Sequence, residues 1–189
     1  MNLTTENFFS KFEPGFSLME MMTVIAIIGI MTVISIPRLI NPENKASKAA
    51  RELMGDMQRT RMSAISNNQD WAIVFDTATE NYYICSDRGS DNVWSTVLAS
   101  NTIEKTISFT NYAAGIQYGH GPATTNATAG GGAFSVDDVS YVSNVLTFNS
   151  RGTCSSGWVY LSYGDVSYAV GTLSTGIIRI KRWTGGAWR

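Results

Sequence analysis

The sequence predicts an α+β chain in which a long N-terminal helix precedes an antiparallel β-sheet domain. Three observations lead there. The stretch GFSLMEMMTVIAIIGIMTVISIPRL, Gly15 to Leu39, is almost wholly apolar. The next stretch, NKASKAARELMGDMQRTRMSAIS, repeats apolar residues at helical spacing. From Trp71 onward the chain changes to short runs rich in Val, Ile, Thr and aromatics, separated by Asn, Asp, Ser and Gly. At 189 residues, 44% apolar and 15% charged, the composition is that of a folded protein. Fourteen basic and fifteen acidic residues leave a net charge of -1, which argues against a global attraction to nucleic acid or anionic lipid.

Residues 1–15, MNLTTENFFSKFEPG, are mostly polar, with Glu6, Lys11 and Glu13. A secretory signal places its small-residue cut after the apolar core. Here the small residue, Gly15, comes before it, and a cut there would leave the apolar helix on the mature chain. Met21 to Pro37 carries no charged side chain. As a helix it would rise about 26 Å, close to the ~30 Å of a bilayer's hydrocarbon core. Residues 16–37 are therefore expected to form a transmembrane segment.

Glu20 stands out within that segment. An isolated carboxylate near the bilayer interior costs about 2.5–3.5 kcal/mol on insertion scales and usually has a partner. No basic side chain between Phe16 and Pro37 supplies one. A cut after Gly15 would create an α-amine four residues before Glu20, and in a packed array of helices the amine of one subunit could pair with Glu20 of the next.

The run Gly15-Phe16-Ser17-Leu18-Met19-Glu20, followed by apolar residues, resembles the class III signal of type IV prepilins and type II secretion pseudopilins. The resemblance implies cleavage between Gly15 and Phe16 by a prepilin peptidase, N-methylation of Phe16, and a role for Glu20 in registering subunits in a filament. The leader departs from the usual pattern, since Glu13 and Pro14 occupy places that are often basic.

Pro37 and Pro42 should kink or loosen the helix where it leaves the membrane. Residues 38–68 then read as an amphipathic half. Ala46, Ala50, Leu53, Met57 and Ala64 mark its core face, with the methionines as core filler. Lys45, Lys48, Arg51, Arg59 and Arg61 are expected largely on the opposite face, against Glu43, Glu52 and Asp56. That basic excess reads either as a solvated face or as a contact with partner subunits or anionic headgroups.

Residues 69–189 form the β-rich domain. WAIVFD, NYYIC, TISFT, NVLTFN, GWVYLSY and GIIRIKRW read as strands, with DTATEN, Asp76 to Asn81, as a hairpin turn. The segment Gly119 to Phe134 is rich in small residues and is expected to be a flexible exposed loop. A long helix on such a domain is the lollipop associated with pilins. RELMGDMQRTRMSAI leading into WAIVFD, the Phe148-x-x-x-Gly152 stretch, and the closing STGIIRIKR resemble GspH/FimT-like minor pilins and pseudopilins.

Cys85 and Cys154 are candidates for a disulfide if the domain faces an oxidising periplasm, closing a loop worth about 4 kcal/mol in the chain-entropy model. A metal site finds no support, because the thiols are far apart in sequence and His120 falls in the loop. No cofactor is implied. Catalysis finds little support either: there is no Gly-x-Ser-x-Gly motif or phosphate-binding loop, and no acid near His120 in sequence to orient it. Asp137 and Asp138 read as a turn rather than a calcium site.

The C-terminus gathers Arg179, Lys181, Arg182 and Arg189 with Trp183 and Trp188. Such a cluster can hold phosphates and stack bases, and the resemblance includes DNA-binding members that use a basic C-terminal region in transformation. This sequence departs from their Gly-Arg-x-Arg motif by placing Ile177 after Gly176. The bland alternative is a solubilising edge strand that contacts neighbouring subunits.

The expected function is a non-enzymatic minor pilin or pseudopilin, held in the bacterial inner membrane by one span with its globular domain in the periplasm, then assembled into a type IV pilus or type II secretion pseudopilus. Expected partners are other pilins, the prepilin peptidase, the inner-membrane assembly machinery and inner-membrane lipid, with DNA as the alternative.

Overall fold

A computed structural model describes the backbone of residues 15–39, 42–95 and 100–189, and side chains within these ranges except at 33–39 and 42–43. All of the expected leader except Gly15 lies outside the described residues. The chain divides into two compact units, Met1–Ile40 and Asn41–Arg189.

The first unit contains α1, Leu18–Leu39. Pro37 lies within it. Every side chain described from Phe16 to Thr32 is exposed. Among the described residues, no helix is long and apolar enough to cross a membrane. The hydroxyls of Thr23 and Thr32 donate to the carbonyls of Met19 and Ile28, each at 2.7 Å, so both polar side chains are satisfied within the helix itself.

The second unit opens with α2, Pro42–Ser66. Residues 40–41, just before it, lie outside the described residues, and so does the kink expected there. Ala46, Ala50, Leu53, Met57 and Ala64 are completely buried, together with Ala49. The small residues let the helix lie close to the strands beneath it.

Two four-stranded antiparallel sheets follow. The first has the order β3-β2-β1-β5, with β1 at Trp71–Asp76, β2 at Asn81–Asp87, β3 at Thr102–Ser108 and β5 at Val145–Phe148. The second has the order β4-β6-β7-β8, with β4 at Gln117–Tyr118, β6 at Gly157–Tyr163, β7 at Val166–Thr172 and β8 at Ile178–Arg182. The β1–β2 hairpin closes in the expected DTATEN turn, with Asp76 opposite Asn81. The Asp76 carboxylate accepts from the Ala78 N–H and the Thr79 hydroxyl, which fixes the turn.

Sequence reasoning missed β4 and β7. Strand β7 is fully buried after its first residue, so it lacks the polar alternation of a half-exposed strand. Its signal was the Gly164-Asp165 pair after β6, with Gly164 at φ +57, a two-residue hairpin turn.

One core unites α2 and both sheets. Leu53 and Met57 share this core with Ile73, Phe75, Tyr82 and Ile84 from the first sheet and Val159, Leu161 and Val170 from the second. Alternation places Ala72, Val74, Tyr83, Cys85 and Val145 on the far face of the first sheet. Trp158, Tyr160 and Ala169 lie on the far face of the second, packed with Ala127, Phe134 and Trp188.

The segment Gly119–Phe134 is irregular, as expected, but it is pinned rather than loose. Ala123 and Ala127 are buried. The Ala127 N–H donates to the Tyr160 hydroxyl at 2.8 Å, and the Trp188 indole donates to the Thr125 carbonyl at 2.6 Å. Aromatic residues remote in sequence supply the anchors, so local composition gave no sign of them.

Candidate functional site: the N-terminal stem and the closing strand

Gly15 and Phe16 precede the first turn of α1, and both are exposed, Phe16 by 80%. The Ser17 carbonyl accepts from the N–H groups of Glu20 and Met21 at 3.0 and 3.1 Å, which starts the helix. Glu20 therefore lies in the first turn, three residues after Ser17, the spacing of a capping box. There the unpaired N–H groups and the helix dipole favour a negative charge. The sequence reading, which saw a carboxylate without an internal partner, missed this compensation.

The four C-terminal cations do not form one patch. Arg179 and Lys181 alternate with Ile178 and Ile180, which pack on the main core. Arg182 shares the face of the isoleucines, and the final residues fold back so that Arg182 and Arg189 exchange backbone hydrogen bonds. Antiparallel partners point their side chains to one side, so Arg182 and Arg189 face opposite to Arg179 and Lys181. The Lys181 ammonium donates to the Ala127 carbonyl at 2.8 Å and sits 5.0 Å from the Trp158 ring centroid. Lys181 thus helps hold the 119–134 segment across the second sheet.

The expected disulfide does not form: both cysteines are free. Cys85 lies on the far face of the first sheet, whereas Cys154 packs against the main core and donates to the Leu173 carbonyl at 3.1 Å. The sheet itself separates them. Burial, with the Glu104 charge as a smaller cause, pushes the Cys85 thiol up to about 11. Burial also raises that of Cys154.

Arg61 was expected with the other cations on the polar face of α2, and the structure corrects this. Its Nε donates to the Gly152 carbonyl at 2.9 Å. Gly152 and Gly176 have φ of +77 and +83, and a Cβ on Gly176 would lie 2.0 Å from the Gly152 carbonyl oxygen. The helix arginine, the Phe148-x-x-x-Gly152 stretch and the glycine before β8 are one clasp that ties α2 to the β5–β6 and β7–β8 connections. Three motifs that were separate in sequence have one physical cause.

Asp56 is likewise not on a polar face. It is 1% exposed and accepts from the Tyr82 hydroxyl at 2.9 Å, the Lys105 ammonium at 2.9 and 3.0 Å, and the Arg59 guanidinium at 2.7 Å. Burial and the adjacent Asp56 charge hold the Tyr82 phenol far above its ordinary value.

His120 does have an acid to orient it, supplied from across the fold. Its Nδ1 lies 2.6 Å from Asp138, and its ring stacks on Phe134 at 4.0 Å. Asp137 accepts from the side-chain amide of Asn144. Among the described residues, no group of three or more His, Cys, Asp and Glu could hold a metal ion.

No curated protein matches the chain significantly. Among solved structures, it is similar to the type IV minor pilin FimU of Pseudomonas aeruginosa, at 16% identity over 77% of this chain and 93% of that one, with a TM-score of 0.49. It is also similar to the minor pseudopilin EpsH of the type 2 secretion system of Vibrio cholerae, at 14% identity over 72% of this chain and 95% of that one, with a TM-score of 0.46. The profile of the family described as type II transport protein GspH matches residues 49–176, from within α2 to the glycine of the clasp. The chain belongs to the family of type II transport protein GspH.

Proposed function

We propose that this GspH-family chain is a non-enzymatic structural subunit, cut after Gly15 by a prepilin peptidase, methylated at the Phe16 amine, and assembled into a type IV pilus or type II secretion pseudopilus. The observation that carries the reading is the exposed stem. Every described side chain from Phe16 to Thr32 is exposed although most are apolar, while the 41–189 unit closes a core of its own. Such a helix needs an apolar environment from outside the chain. Before assembly that environment is the inner membrane, reached through the uncharged run from Met21 to Pro37. After extraction it is the stems of neighbouring subunits.

Glu20 then has two partners in succession. At the membrane surface the first turn of its own helix compensates it. In the assembled bundle the Phe16 amine of a neighbour pairs with it and sets the axial register. The proposed domains are a leader at 1–15, a stem at 16–37, an amphipathic helical half at 38–68 and a periplasmic domain at 69–189.

The test is the mass of the mature N-terminal peptide from membranes of the native host. A peptide beginning at methylated Phe16 supports the reading, and an intact Met1 leader overturns it. Orientation has its own test, because Arg38, Lys45, Lys48 and Arg51 follow the stem whereas Lys11 alone precedes it, and charge asymmetry alone favours the reverse topology. A reporter fused after Arg189 is expected to read as periplasmic.

DNA binding through Arg179, Lys181, Arg182 and Arg189 is the weaker reading, because the four divide between two faces and Lys181 is engaged with Ala127. It requires that joint replacement by Gln weaken DNA binding and flatten its salt dependence.

A further inference from the structure

A groove of about 530 Å³ crosses the outer side of α2 beside β3, bordered by Lys48, Arg51, Glu52, Gly55, Arg59 and Lys105, with Asp56 at its base. Gly55 is the unexpected member. Glycine is the poorest helix former after proline, yet a Cβ at Gly55 would meet nothing within 4 Å, so no contact inside the described fold requires it. Its effect is to leave the middle of an exposed helical face bare. Lys48, Arg51, Gly55 and Arg59 follow one another at spacings of three and four, so they form a single row along the helix.

The walls carry fixed positive charge. Buried Asp56 anchors the Lys105 ammonium and the Arg59 guanidinium, which remains 67% exposed. Lys48 and Arg51 pair with no carboxylate among the described residues: Arg51 donates to the Ser47 hydroxyl and Lys48 lies 6.0 Å from the Tyr112 ring centroid. Four cations against two carboxylates make the groove positive on a chain whose net charge is -1.

We propose that this groove is a docking site for an acidic segment of a partner protein, which passes closely over bare Gly55 and sets its carboxylates against Lys48, Arg51 and Arg59. Close approach at glycine and cations at fixed spacing distinguish such a site from a diffuse basic surface. The inference does not depend on the fate of the stem.

The test uses the full chain in detergent micelles and a fluorescent helical peptide carrying Glu on one face, with its Gln counterpart as control. Saturable binding of the Glu peptide is expected, weakened about ten-fold or more by Lys48→Gln with Arg51→Gln. Gly55→Leu, which fills the groove and leaves the charge unchanged, should weaken it comparably. Unchanged binding to folded Gly55→Leu would mean charge alone attracts the peptide, and would overturn the site. Equal binding of the two peptides, or displacement by glycerol 3-phosphate as a lipid-headgroup probe with no preference for Glu, would also overturn it. Should Gly55→Leu not fold, Lys48→Glu with Arg51→Glu decides. That variant must transfer binding from the Glu peptide to a Lys peptide, and failure to do so rejects the proposal.

Discussion

Helices α1 and α2 are of similar length, 22 and 25 residues, but their apolar side chains meet opposite fates. In α2 the apolar stripe of Ala46, Ala49, Ala50, Leu53, Met57 and Ala64 is completely buried in a core shared with strands of the same chain. In α1 they occur all round, and Leu18, Met22, Ile25 and Ile28 are all more than half exposed. A stripe is satisfied by one sheet, whereas a helix apolar on every side must be surrounded. The difference separates a helix whose energetics close within the chain from one whose energetics need neighbours.

If that contrast is right, damage to α2 unfolds the domain and damage to α1 does not. The largest effect is expected for Asp56→Ala, which strips a buried acceptor from Tyr82, Lys105 and Arg59 and should cost about 4 kcal/mol in denaturant unfolding. Leu53→Ala, at a completely buried core position, should cost about 3 kcal/mol. Gly176→Ala should cost about 2 kcal/mol, because its Cβ would overlap the Gly152 carbonyl at positive φ, and it should loosen the Arg61 clasp as well.

A smaller effect concerns pH. Burial raises the Cys85 thiol from 9.0 to about 11, so folding favours the neutral form. Its contribution is complete below about pH 9 and is lost as pH rises towards 11, with buried phenols such as Tyr82 steepening the loss above 10. Cys85→Ala should flatten the part of the slope nearest pH 9, and a thiol assay on the denatured, unreduced chain should find both cysteines free.

The smallest effect sharpens the comparison most. Ile28→Ala in α1 should change the domain's unfolding free energy by less than about 0.5 kcal/mol. In Glu20→Ala, cleavage after Gly15 should persist while incorporation into pili or pseudopili, read by immunoblot of sheared filaments, falls. Normal incorporation would remove the pairing argument.

The elements were legible to the degree that their signals were local. The core face of α2 was readable from Ala46 to Ala64 because helical period and burial coincide there. Six strands announced themselves through β-branched and aromatic runs. Strand β7 did not, because a strand buried on both faces has no alternation to read. Gly15, Phe16 and Glu20 stand out as a motif through their spacing alone, and the role given them is the proposal above. The charged residues were misplaced wherever a partner lay far along the chain. Asp56 finds Tyr82 and Lys105, Arg61 finds Gly152, His120 finds Asp138, and Lys181 finds Ala127.

An apolar stem with one carboxylate, an amphipathic helix and a β-rich domain can all be read along the chain from residue order. Those properties are set by hydrophobic period and turn chemistry, which act over a few residues. Long-range packing is what puts the two cysteines on different faces, divides the four C-terminal cations two and two, and makes Gly55 open a groove while Gly176 closes a clasp. Strand pairing fixes which face each side chain takes, and pairing partners come from distant parts of the chain. Burial of a charge or the need for a glycine therefore depends on contacts that no local stretch contains.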